Sequence, residues 1–281
     1  MNDVPHGRNA SLAADLFQQR YRDPGQAAPG ETNAILEALL AHRSIRAFLP
    51  EPVSEDHLAS IIAAASSAAT SSNLQTWSVV AVRDADRRSR LRKLCANQAH
   101  IDEAPLFLVF LCDLARIEAI AAARGVAVEG TEYLEMLLIG VVDATLAAQN
   151  AVVALESLGL GSVYIGGIRN NPEKVAAELG LPPRVFPVFG LCVGTPDPAR
   201  PAAIKPRLPQ SSVLHHEQYD PAQAIQDIPA YDARMAAFQA EQAMTPEVWT
   251  QRSISRVRTP ASLTGRDRMR AALANLGFAL R

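Results

Sequence analysis

Helical spacing of apolar residues appears first at Ser11 to Tyr21, a short amphipathic stretch that Asp23-Pro24-Gly25 and Pro29-Gly30 bring to an end. It returns in Ile35, Leu36, Leu39 and Leu40, which predicts a helix over Ala34 to Ala41 with Thr32 as its N-cap. Leu58, Ile61, Ile62 and Ala65 repeat at the same period behind Ser54, a fitting N-cap, with Glu55 and Asp56 set against the positive end of the helix dipole. The polar run from Ser66 to Gln75 then reads as a loop. A further helix carries the basic residues of Arg87 to Lys93 and turns Leu91 and Leu94 inward.

Short continuous apolar runs mark strands at Trp77 to Val82, Pro105 to Cys112 and Val185 to Gly194, with a shorter one through Val163, Tyr164 and Ile165. Pro105 to Cys112 is apolar enough to be covered on both faces, and it belongs with Val185 to Gly194 at the centre of the sheet. Leu134 to Leu160 is the most apolar segment. Glu135, Asp143, Gln149, Asn150 and Glu156 interrupt it, whereas a membrane span needs about 20 nearly unbroken apolar residues, so it reads as a buried helix. Such a helix must be covered by a sheet, by other helices or by a second subunit. Asn171-Pro172-Glu173 opens another helix, with Asn171 as N-cap, Pro172 at N1 and Gly180 past its end. Prolines from Pro196 to Pro209 stop regular structure, and Ala222 to Ala243 and Arg266 to Leu276 are again helical in pattern.

This alternation predicts an α+β or three-layer α/β core. No Gly-x-Gly-x-x-Gly stands between a strand and a helix: Gly159-Leu160-Gly161 is followed by Tyr164 where the third glycine belongs. A nicotinamide, if used, is not held by a dinucleotide fold.

With 281 residues, 48% hydrophobic and 20% charged, the chain has enough apolar material for a sizeable core without covalent staples. A net charge of -2 gives no basic field, so nucleic acid is not an expected partner. Cys95, Cys112 and Cys192 are odd in number and widely spaced, which predicts structural thiols in a reducing compartment. Residues Met1 to Arg8 have none of the character of a secretory signal. The expectation is a cytoplasmic protein with neither membrane nor metal as partner.

Three strings carry candidate chemistry. His42-Arg43-Ser44-Ile45-Arg46 gathers an imidazole, a hydroxyl and two guanidinium groups, and reads either as a basic helix end or as a phosphate grip. Lys205-Pro206-Arg207-Leu208-Pro209 is a surface loop or a second half of that grip, its prolines turning Lys205 and Arg207 the same way. Tyr164-Ile165-Gly166-Gly167 is an ordinary turn or a strand end that a flat ligand approaches closely.

Taken in order with Leu74-Gln75, Gly140 to Asp143, Ala148 to Ala151, Glu156 to Asn171 and Phe189 to Gly194, these strings resemble the nitroreductase superfamily. The likeness is strongest to the group A, oxygen-insensitive NADPH nitroreductases and the NADPH-flavin oxidoreductases. It runs from about residue 33 to 216 and again from 266 to 281, leaving residues 1–32 as an extension. What it implies is a nitroreductase-like three-layer fold, with a central, mostly antiparallel sheet flanked by helices. Residues 33–281 would form the FMN-binding domain of a domain-swapped homodimer, with a C-terminal segment embracing the partner and the long apolar helix at the interface.

The resemblance also assigns roles. His42, Arg43, Ser44 and Arg46 would bind the ribityl chain and phosphate of FMN, completed by Lys205 and Arg207. Gln98 would lie near the pyrimidine end of the ring, and Ser71 would reach it from the other subunit. Tyr164, Ile165, Gly166 and Gly167 would line the dimethylbenzene side and the N5 edge, while Ser72, Asn73 and Arg266 would touch substrate. No side chain is implied as catalytic, because flavin N5 carries the chemistry. His100 matches a family histidine without an assigned role.

The implied activity is ping-pong transfer from NADPH or NADH to a small nitroaromatic, quinone or flavin acceptor. Other readings are a flavin reductase serving a partner and a non-catalytic flavin-binding protein. Met235 to Trp249 contains no Lys or Arg where NADPH-preferring relatives place arginines, and Arg252, Arg256 and Arg258 follow just downstream.

Overall fold

The computed structural model describes residues 6–281, with side chains from Leu12 onward. The first five residues, and with them most of the segment expected to lack the character of a secretory signal, lie outside the described residues. Along the chain run helices α1 (His6–Tyr21), α2 (Ala34–Ala41) and α3 (Glu55–Ser66), strand β1 (Trp77–Val82), then α4 (Ala85–Leu94) and α5 (His100–Glu103). They are followed by β2 (Leu106–Asp113), α6 (Ala115–Ala123), α7 (Leu134–Ser157), β3 (Gly161–Ile165), α8 (Pro172–Leu179) and β4 (Val185–Gly194). The rest is helical: α9 (Pro221–Gln226), α10 (Ile228–Glu241), α11 (Trp249–Val257) and α12 (Met269–Asn275). Two compact units result, one of residues 1–43 with 202–262, the other of residues 44–201 with 263–281.

The larger unit is built on a four-stranded antiparallel sheet of order β1-β2-β4-β3, with the two most apolar strands central as expected. β4 is buried along its whole length. Helices cover both faces. On one, α7 comes so close that a methyl group added to Gly140 would lie 2.3 Å from Cys112 Sγ. On the other, Cys192, the register partner of Phe107, faces Cys95 and Arg88 beside α4. These three layers match the expected α+β class. α3 backs α7, and Asn150 Nδ2 joins them by donating to the Ala64 carbonyl at 3.1 Å.

α7 has a most apolar 18-residue window of mean hydropathy 1.7, so by length and composition it could cross a membrane. Here it packs on the sheet and holds a buried carboxylate, Asp143, on its inner side. Its other side leaves Leu134, Leu138, Val142 and Leu146 exposed by 41 to 54%, an apolar stripe at four-residue spacing. All three cysteines are free and buried. Burial pushes the thiols of Cys95 and Cys112 up to about 12 and that of Cys192 higher still.

The smaller unit packs α1 on α2, burying Ala13, Phe17 and Arg20. A separate cluster forms where α10 meets α11: Tyr231, Met235 and Phe238 are buried, and the Trp249 ring stands edge-on to Tyr231 at 5.1 Å. Arg22 pairs with Glu241 at 2.7 Å, and Asp23 with Arg234 at 2.9 Å.

Several expected boundaries are corrected. The N-cap of α2 is Asn33, not Thr32: its side chain accepts from the amides of Ile35 and Leu36. Asn171 precedes α8 without capping it, since its side-chain amide donates instead to the Leu94 carbonyl. The helix expected over Ala222 to Ala243 is two, broken at Asp227 where Pro229 can start a helix but not continue one. Arg266–Arg268 is a 3-10 turn that precedes α12. Leu94 is only half-buried while Arg88 is buried, and α6 and α11 were not expected.

The turn before α12 is fastened to α8. Arg268 grips Glu173 with two bonds of 2.6 and 2.7 Å, and Asn275 adds a third at 3.2 Å. The Arg268 guanidinium is the main cause that holds the Glu173 carboxyl down to about 2, from an ordinary 4.5. A depressed carboxyl stabilises the fold fully above about pH 4.5 and loses that contribution as pH falls toward 2. Both partners are partly exposed, so the contribution is about 1 kcal/mol or less. The melting-temperature gap between the wild-type chain and Glu173→Gln is therefore expected to be small at pH 7 and to close on acidification.

Candidate functional site

The two basic strings expected to grip phosphate contribute to the smaller unit at 42–43 and 205–207. In the second, burial alternates: Ile204, Pro206 and Pro209 are buried while Lys205 and Arg207 are exposed, so the two cations do point the same way. Backbone bonds fix this strip, because the Tyr231 hydroxyl donates to the Pro206 carbonyl at 3.1 Å and the Arg207 amide donates to the Arg20 carbonyl at 2.9 Å. Lys205 and Arg207 line a cavity of about 970 Å³, together with Tyr231, Trp249, Arg252 and Arg256. Arg258 does not line it.

In the larger unit, Ser44 forms a parallel bridge with Ser162 at the start of β3, and the Ile45 amide donates to the Ser162 carbonyl at 2.8 Å. Buried Ile45 thereby leaves Arg46 exposed. Arg46 stands close enough to His100 to lower the imidazole pKa, second to burial as the cause. Among the described residues no ion pair uses Arg43, Arg46 or Arg207, so none of the three is neutralised by a carboxylate.

The end of β3 gathers a second group. Tyr164 lies edge-on to Phe189 at 5.1 Å, and burial pushes its phenol up to about 12. Ile165 is fully buried. A methyl added to Gly166 would meet Arg169 Nη2 at 3.5 Å and Arg266 Nη1 at 3.7 Å, so two guanidinium groups sit in ordinary contact with this glycine. Arg266 is brought there by Gly265, whose φ of +85° and approach to the Asn170 carbonyl leave room for no side chain. Gln98 packs against Gly167, with Nε2 donating to the Cys95 carbonyl at 3.0 Å.

Ser71, Ser72 and Asn73 lie on the loop before β1, which carries three left-handed residues, Ser72, Asn73 and Gln75. Buried Asp143 of α7 holds this loop. Its Oδ2 accepts from Thr70 Oγ1 at 2.6 Å and from the amide and hydroxyl of Thr76 at 3.0 Å each, and its Oδ1 accepts from the Ser71 amide at 3.2 Å.

Residues 39–195 match the nitroreductase family, and residues 205–281 match the nitroreductase family C-terminal domain. The chain belongs to the nitroreductase family. It is 44% identical over 205 residues to the oxygen-insensitive NADPH nitroreductase of Salmonella typhimurium, covering 72% of this chain and 81% of that protein. To the FMN reductase [NAD(P)H] of Bacillus subtilis it is 41% identical over 208 residues, covering 73% and 83%. The NADPH:FMN oxidoreductase of Vibrio harveyi complexed with NAD+ superposes with a TM-score of 0.79 at 37% identity, covering 89% of this chain and all of that one.

Within this chain, no role for Asp143, Arg169 or Arg20 was legible in the sequence. Asp143 looked like an interruption of an apolar helix, although a carboxylate on the inner face of such a helix is itself a signal of buried donors. Arg20 lies before the family match and gave no signal beyond a cation at a helix end.

Proposed function

We propose that the chain is an FMN-dependent oxidoreductase that takes hydride from NADPH or NADH and passes it to a small nitroaromatic, quinone or flavin acceptor. The observation that carries this reading is the strip of cations at 205–207, fixed by backbone bonds and free of carboxylate partners at Arg207, in a chain whose relatives include an FMN reductase and an NADPH nitroreductase. In this proposal His42, Arg43, Ser44, Arg46, Lys205 and Arg207 hold the phosphate and ribityl chain. Arg43, Arg46 and Arg207, which form no ion pair among the described residues, suit a phosphate, and arginine keeps its charge at any working pH.

Bound FMN would supply two-electron hydride acceptance and donation. The protein's share is positioning. Gln98, Tyr164, Ile165, Gly166 and Gly167 would line the ring. Arg169 and Arg266 at Gly166 would favour negative charge there, and Arg266 with Ser72 and Asn73 would orient the acceptor. Donor and acceptor would take turns over one face. Arg252 and Arg256 bring positive charge to the cavity that Lys205 and Arg207 also line, which supports binding of a donor's phosphates. Anaerobic stopped-flow with each nicotinamide in turn is expected to bleach the visible flavin absorbance, followed by recovery when a nitroaromatic, a quinone or free FMN is added. A protein that takes up no flavin, or whose flavin neither nicotinamide bleaches, is not this enzyme.

The same proposal includes a domain-swapped homodimer with residues 33–281 as the flavin-binding domain, Ser71 reaching the ring of the other subunit and the C-terminal segment embracing the partner. The exposed stripe of Leu134, Leu138, Val142 and Leu146 supports burial of α7 against a second copy. Leu138→Asp is expected to shift the protein from dimer to monomer in sedimentation analysis and to weaken flavin binding with it. The three free cysteines support a cytoplasmic location.

A further inference from the structure

α1 lies wholly before the family match, which begins at residue 39. In its last turn Arg20 is only 6% exposed, and its guanidinium donates to main-chain carbonyls. Nη1 donates to the Lys205 carbonyl at 3.0 Å, and Nη2 donates to the Leu40 carbonyl at 2.8 Å and to the His42 carbonyl. The carbonyl of Arg20 itself accepts the Arg207 amide at 2.9 Å. One residue thus binds the backbone of both basic strings, at His42 and at Lys205, which lie 163 positions apart in the sequence. On either side of these bonds the side chains of Arg43, Lys205 and Arg207 face solvent.

We propose that Arg20 is a positioning residue of the phosphate grip, and that α1 is in this way a working part of the flavin site. The inference rests on the FMN reading above. Arginine suits the task because its planar fork carries five donors in a fixed geometry and can span three carbonyls, whereas the lysine ammonium is a single point. The helix end is held in turn: Phe17 is buried one turn earlier, and Arg22 and Asp23 form ion pairs with Glu241 and Arg234 of α10. With the two backbones tied, the cations are set at a spacing that an anion need not impose. The positive charge of Arg20 adds to the local field without contacting the ligand.

The phosphate separates this role from a general contribution to folding. FMN and riboflavin share the ring and the ribityl chain and differ at the terminal phosphate, so the ratio of their affinities reads the grip alone. Flavin-free wild-type protein and its Arg20→Ala and Arg20→Lys variants are titrated with each ligand by flavin fluorescence, and their folding is followed by circular dichroism and thermal melting. Arg20→Ala is expected to weaken FMN binding at least tenfold with riboflavin binding unchanged, and Arg20→Lys to recover part of the loss. If Arg20→Ala does not fold, the lysine variant carries the measurement, and its FMN-to-riboflavin ratio must still fall below the wild-type value. An unchanged ratio in the folded variants, or equal loss for both ligands, overturns the proposal. A wild-type protein that binds FMN no better than riboflavin overturns the phosphate assignment itself, a result distinct from the first.

Discussion

Asp143→Ala is expected to destabilise the chain by about 3 kcal/mol or more, read as a lower urea midpoint with an unchanged slope. Its carboxylate is 1% exposed and accepts from four donors, two hydroxyls and two amides, all on the loop of residues 70–76. Alanine would leave the amides of Ser71 and Thr76 without an acceptor in a place that solvent barely reaches, and each unsatisfied buried donor costs about 1–3 kcal/mol. The loop also holds Ser72, Asn73 and Gln75 in left-handed backbone, which persists only where surrounding bonds enforce it. Flavin binding should weaken as well, since Ser71 to Asn73 belong to the proposed site. Asp143→Asn keeps one acceptor oxygen but turns an NH2 toward the donors, so an intermediate loss is expected. A wild-type urea midpoint in the alanine variant would mean that the loop is held by something else.

Arg207→Ala is expected to lower FMN affinity by about 10- to 100-fold, the worth of one charge-assisted bond to phosphate. The fold should survive, because Arg207 is exposed and its anchoring bond is made by the backbone amide, which alanine retains. Riboflavin affinity should stay near the wild-type value. Unchanged FMN affinity in Arg207→Ala would remove this residue from the phosphate site. With nicotinamide present, the variant's turnover should be restored by raising free FMN.

The sheet was legible because it is made of continuous apolar runs: Trp77 to Val82 and Val185 to Gly194 were read with their observed boundaries, and the burial of the central pair followed from composition. Boundaries set by backbone angle were not. Thr32 and Asn33 are adjacent polar residues, and only the bonds that the Asn33 side chain accepts from the Ile35 and Leu36 amides show which one caps α2. The break at Asp227 was hidden because apolar residues recur at helical spacing straight through Pro229. For the site, the identity of the basic strings was visible but their purpose was not, since a cation at the end of α2 complements a helix dipole and grips a phosphate equally well. The fastening of those strings was out of reach for a plainer reason. Arg20 meets Lys205 across 185 positions, and the bonds go to carbonyls, which every residue carries.

The buried thiols bear on how the protein is handled. Only the thiolate reacts, and burial, which pushes Cys95 and Cys112 up to about 12, leaves far less of it at neutral pH than an exposed cysteine carries. Sulfur is thereby kept out of the electron traffic, and mixed disulfides or cross-linked aggregates have no foothold while the chain stays folded. Purification and assay can dispense with thiol reductants, so that every electron reaching an acceptor can be traced to the nicotinamide supplied.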